Sequence, residues 1–116
     1  MPVRSSGTAV LKWPDRAAVD AAVRQWARAE LGAGRGVEAV GYYGSYARGD
    51  WGVGSDVDLV VVVGDSAEPF ERRAAAWDAT ALPVPADLVV YTRAEWRRLP
   101  SRPRPVEWVA GHAPAE

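Results

Sequence analysis

The chain has 116 residues, 48% apolar and 25% charged, which is the composition of one folded globular domain and excludes disordered or fibrous architectures. Formal net charge is −1, and the 13 Arg and single Lys are spread along the chain, so composition makes no case for an extended nucleic-acid surface. Cysteine is absent, which rules out disulfides and thiol chemistry. No apolar run approaches the ~20 residues needed to span a bilayer, and Met1 to Thr8 lacks a secretory pattern. A soluble cytoplasmic protein, a single domain over residues 1–116, is expected.

In chain order, Pro14 to Leu31 carries Val19, Ala22, Val23 and Trp26 at helical spacing and predicts an amphipathic helix, with Pro14 in its first turn. Glycines 32, 34 and 36 end it, and Val37 to Tyr43 predicts a strand that runs into Gly44-Ser45. After a turn-rich stretch, Val57 to Val63 is nearly all apolar and predicts a strand covered on both faces. Glu68 to Ala81 has helical composition, and Asp87 to Tyr91 predicts a third strand. Thr92-Arg93-Ala94-Glu95 has the form of a capping box opening another helix. The last dozen residues predict a short helix with a loose end. The five Arg from Arg93 to Arg104 fit a local anion patch or, the commoner explanation, a solvated helix face followed by a Pro-rich turn. This order implies an α/β (α+β) domain, a small mixed central sheet with helices packed on it.

Asp56 and Asp58 stand two apart at a strand start, so their carboxylates project from one face. Two such anions repel unless a cation lies between them, and hard oxygen ligands suit Mg²⁺ or Mn²⁺. Asp58 also interrupts an apolar strand, where an unpaired charge is costly. Asp87 heads another strand and would join the pair if the strands are neighbours, giving the carboxylates of a two-metal site with Asp87 close to an attacking hydroxyl. Gly44 lets backbone approach a phosphate, and the Ser45 hydroxyl and following N–H groups can donate to its oxygens. Alone, each has an ordinary explanation as a turn or a strand end.

Together they resemble a known family. Gly44-Ser45-Tyr46-Ala47-Arg48-Gly49-Asp50, then Ser55-Asp56-Val57-Asp58-Leu59, then Asp87 on a later strand, is similar to the signature of polymerase-β-like nucleotidyltransferases and in detail to their minimal subfamily, MNT. The resemblance covers a core of about residues 37–91. It implies that fold, with Gly44 and Ser45 holding the β- and γ-phosphates of a nucleoside triphosphate, ATP being the expected donor. It further implies that Asp56, Asp58 and Asp87 bind two Mg²⁺ ions, Mn²⁺ being able to substitute, and that Asp87 serves as base. Arg48 matches a common family Arg, with a structural pairing to Asp50 or Asp56 as the alternative. The subfamily's partner is a helical HEPN toxin, so the implied activity is AMP transfer to a hydroxyl of that partner in an antitoxin role. The competing reading is a non-catalytic antitoxin that neutralises its partner by forming a complex. Trp51, between the motifs, is a candidate for nucleotide or partner contact, and Trp26 and Trp77 are expected in the core on helical faces. P-loop and dinucleotide fingerprints are absent, and the sole histidine, His112, lies in the tail.

Overall fold

The computed structural model describes residues 13–114; Met1 to Thr8 and Lys12 lie outside the described residues. Asp15 caps the first helix, α1 (Arg16–Gly32), by accepting from the Ala18 N–H at 2.9 Å. Pro14 therefore precedes the cap and is not in the first turn. Val19, Val23, Trp26 and Ala27 form the buried stripe that packs on a four-stranded sheet.

The strands are β1 (Val37–Tyr43), β2 (Val57–Val63), β3 (Ala86–Thr92) and β4 (Glu107–Gly111), in spatial order β3-β2-β1-β4. β2 runs antiparallel to β1 and parallel to β3, and β4 is antiparallel to β1. Short helices are α2 (Ser45–Arg48), α3 (Phe70–Arg73) and α4 (Arg93–Arg98). The sheet is covered on both sides, as the apolar run of β2 requires. Val57, Leu59, Val61 and Val63 pack with α1, while Val60 and Val62 pack with Trp96 of α4. Trp96 meets Tyr91 and Trp108 edge-on, at centroid distances of 5.8 and 5.4 Å. Among the described residues no helix is long and apolar enough to cross a membrane.

Two expected helices are corrected. Between 68 and 81 only α3 and one 3-10 turn (Ala74–Ala76) form. Trp77 then leaves in an extended conformation with Arg35 over its ring at 3.9 Å, and Asp78 accepts from the N–H and hydroxyl of Thr80. That local turn competes with helix continuation despite the Ala-rich composition. Trp77 is accordingly half-buried beyond a helix, whereas Trp26 is a helical core residue whose Nε1 donates to Asp78 O at 2.8 Å. The C-terminal segment is strand β4, because the open edge of β1 supplies ladder partners that no local pattern reveals. Gly41 makes room for it: a Cβ there would lie 2.9 Å from Glu107 O, Trp108 Cε3 and Val106 Cγ1.

The expected capping box is present, since Glu95 N donates to Thr92 Oγ1 and Thr92 N to Glu95 Oε1. Glu95 also receives the buried Arg73 guanidinium, which in addition bonds Glu68 O and Val90 O. The bond from Arg73, helped by the Thr92 N–H, lowers the Glu95 carboxyl to about 2. A depressed folded pKa gives stability that is complete above the unfolded value of ~4.3 and is lost as pH falls through the folded one. Thermal melts between pH 5 and pH 2 on the order-of-magnitude window set by those two values are expected to decline, and Glu95→Gln to decline less. An equally steep decline in Glu95→Gln would contradict this assignment.

Candidate active site

The site lies at one end of the sheet, on the face that α4 covers further along. Strand register places Tyr43 of β1, Asp58 of β2 and Asp87 of β3 side by side in one row. The condition set for Asp87 is met, because β2 and β3 are neighbours. Asp56 precedes β2 by one residue and is exposed, like Asp87, while Asp58 is half-buried.

Gly44 follows Tyr43 with φ 75° and ψ −150°, a conformation that only glycine adopts readily. Its backbone rests on the carboxylate of Asp58: a Cβ at Gly44 would overlap Asp58 Oδ2 and lie 3.2 Å from its Cγ. Gly44 and Asp58, separate in sequence, are thus in contact. Arg48 N donates to Gly44 O, and Gly49 N and Asp50 N to Ser45 O, closing α2 as a single turn. One turn carries little macrodipole. What it offers an anion is its first N–H groups, which have no intrahelical acceptor.

The electrostatics single out Asp58. Burial pushes its carboxyl above the ordinary aspartate range, the charges of Asp87 and Asp56 push it the same way, and Arg48 opposes them. Tyr43 is affected similarly, its phenol raised by burial and by the charge of Asp58. An anion held in this way favours a nearby cation, and the three-carboxylate oxygen set fits a hard divalent ion. As the side chains are oriented, no group of three His, Asp or Glu among the described residues gathers closely enough to hold a metal. Asp56 and Asp87, being exposed, would have to rotate toward Asp58.

Arg48 pairs with Asp50 at 3.1 Å, both side chains being well exposed, and not with Asp56. Trp51 stacks on Tyr46 at 5.6 Å with nearly parallel rings and packs at the edge of the main core. One of its faces is therefore committed to fixing the loop, which Gly52 and Ser55 close with reciprocal bonds. Tyr43 is the residue of this row that motif reading missed. Pairing β1 against β2 in the observed register is the signal that would have found it.

A family model described as a nucleotidyltransferase domain matches residues 25–107. No curated protein and no solved structure matches the chain significantly. The matched region contains the whole row and the Gly44-Ser45 turn, and the small α/β architecture with a four-stranded mixed sheet is consistent with the polymerase-β-like fold. The chain belongs to the nucleotidyltransferase domain family of the polymerase-β-like superfamily.

Proposed function

We propose that this protein transfers AMP from ATP to a hydroxyl of a protein partner, a helical HEPN-type toxin, and thereby acts as its antitoxin. The observation that carries the reading is the contact between Gly44 and Asp58, which joins a phosphate-approachable turn to a row of carboxylates. Gly44 and Ser45 hold the β- and γ-phosphates through backbone N–H groups and the Ser45 hydroxyl, with Arg48 close enough to add positive charge. Asp56, Asp58 and Asp87 would hold Mg²⁺, which when bound would neutralise the triphosphate and ease ionisation of the acceptor hydroxyl. Asp87 accepts the hydroxyl proton as the oxygen forms its bond to the α-phosphorus and the bond to pyrophosphate breaks. The chain's contribution is positioning and fixed charge, the terms that dominate phosphoryl transfer.

The test combines the protein with ATP, Mg²⁺ and a HEPN-type protein as acceptor, and reads the partner's intact mass. A gain equal to one or more AMP units is expected, and none after chelation of the metal. A neutralised partner of unchanged mass would support the non-catalytic reading.

A further inference from the structure

An in-line displacement has the attacking oxygen opposite the leaving group. With pyrophosphate held at Gly44-Ser45, at the β1 side of the row, the acceptor must arrive from the β3 side. β3 is an edge strand. Along it runs a cavity of about 690 Å³, between the segment from Ala74 to Pro85 and β3 itself, and Asp87 is part of its wall. That volume lies within the ~300 to 1,000 Å³ typical of ligand sites.

Two properties of this groove define what fits it. The first is backbone. Val57 N donates to Pro85 O, so Asp87, Val89 and Tyr91 turn their peptide groups toward β2, and alternation turns those of Ala86, Leu88 and Val90 outward. Arg73 takes the Val90 carbonyl, whereas Ala86 and Leu88 line the groove. The second is chemistry. Trp77, Leu82 and Leu88 form an apolar wall, Asp78 and Asp87 supply two carboxylates, and among the described residues no Arg or Lys lines the cavity. Arg35 lies over Trp77 and lines a different cavity, which Trp77 separates from this one.

We propose that the acceptor is an extended protein segment that pairs with the outer edge of β3 in this groove, its hydroxyl at Asp87 and a basic neighbour at Asp78. The proposal rests on the nucleotidyltransferase reading above. A strand added beside β3 would point the hydroxyl-bearing side chain to the face of Asp87 and its sequence neighbours to the face of Leu88 and Trp77. A Lys or Arg there lays its aliphatic stem on the apolar wall and its charge at Asp78. Nucleic-acid ends, being anionic, are disfavoured by the Asp78 carboxylate.

The experiment supplies α-labelled ATP and Mg²⁺ with synthetic peptides bearing one central Tyr, Ser or Thr flanked by Lys, the same peptides flanked by Glu, and a single-stranded oligonucleotide. Pyrophosphate release and ATP binding are read in parallel. Labelling of the Lys peptides at least about tenfold above the Glu peptides is expected, equivalent to ~1.4 kcal/mol, and Asp78→Asn, whose amide oxygen can still accept from Thr80, should reduce that preference while ATP binding is retained. N-methylation of alternate peptide amides should abolish labelling while methylation of the intervening ones spares it. Equal labelling of Lys and Glu peptides, no two-residue period in the methylation scan, or labelling of the oligonucleotide instead would overturn the inference. Pyrophosphate release without peptide labelling overturns it alone; absence of both ATP binding and pyrophosphate release overturns the nucleotidyltransferase reading with it.

Discussion

Asp58→Asn is expected to abolish nucleotidyl transfer, by about a thousandfold or more, ~4 kcal/mol of transition-state stabilisation, while leaving the fold intact. The two effects separate because of where Asp58 sits. It is half-buried between Tyr43 and Asp87, with Asp56 adding like charge, so its ionised form costs the folded state free energy. A carboxyl whose folded pKa is raised opposes folding once pH exceeds its unfolded value, and the amide removes that penalty at neutral pH. The melting temperature of Asp58→Asn should therefore equal or exceed that of the wild type while activity disappears. A variant that melts well below the wild type would mean that the carboxylate holds the fold, and its inactivity would then say nothing about catalysis. Asp56→Asn should lose activity in the same sense, with a smaller effect on melting because Asp56 is exposed.

Gly44→Ala should damage both stability and activity. The backbone there has φ 75° and ψ −150°, a region open to glycine and costing other residues ~1–3 kcal/mol. The added methyl would also collide with Asp58 Oδ2. Relief requires either the turn or the carboxylate to move, and either motion pulls the phosphate-holding backbone off the carboxylate row, so a loss of about a hundredfold is expected from misplacement on this scale. The two causes can be divided. In an Asp58→Ala background the collision is gone and the backbone strain remains, so Gly44→Ala should destabilise that background less than it destabilises the wild type. Identical costs in both backgrounds would show that Gly44 is needed only for its dihedral angles.

These residues also show how far the sequence carries. The turn and the Asp pair were legible because a glycine after a strand and two acids at i and i+2 are local patterns, and the Val57 to Val63 run, apolar except for Asp58, announced a strand covered on both sides. The pairing of β2 with β3 was legible only as a condition on Asp87. Long-range pairing had to decide the rest. β4 exists because Gly41 leaves space for Trp108 across β1, and nothing within residues 107–111 states that. The helix after Phe70 stops at Arg73 and Trp77 is already extended, and Asp78 binding Thr80 then holds the following residues in a turn, a side-chain contact that helical composition does not announce. The surroundings of Tyr43 and Trp51 were likewise decided by contacts beyond the motifs. Trp51 drew attention as an aromatic between motifs but is stacked on Tyr46, while Tyr43 stands beside Asp58 through strand register alone.

The most direct measurement compares ATP labelled on the α-phosphate with ATP labelled on the γ-phosphate, using wild type and Asp58→Asn with the acceptor and Mg²⁺ present. The site described here predicts covalent label on the acceptor from the α position only, one pyrophosphate released for each label incorporated, and neither with Asp58→Asn. Incorporation from the γ position, or equal incorporation by wild type and Asp58→Asn, would contradict it.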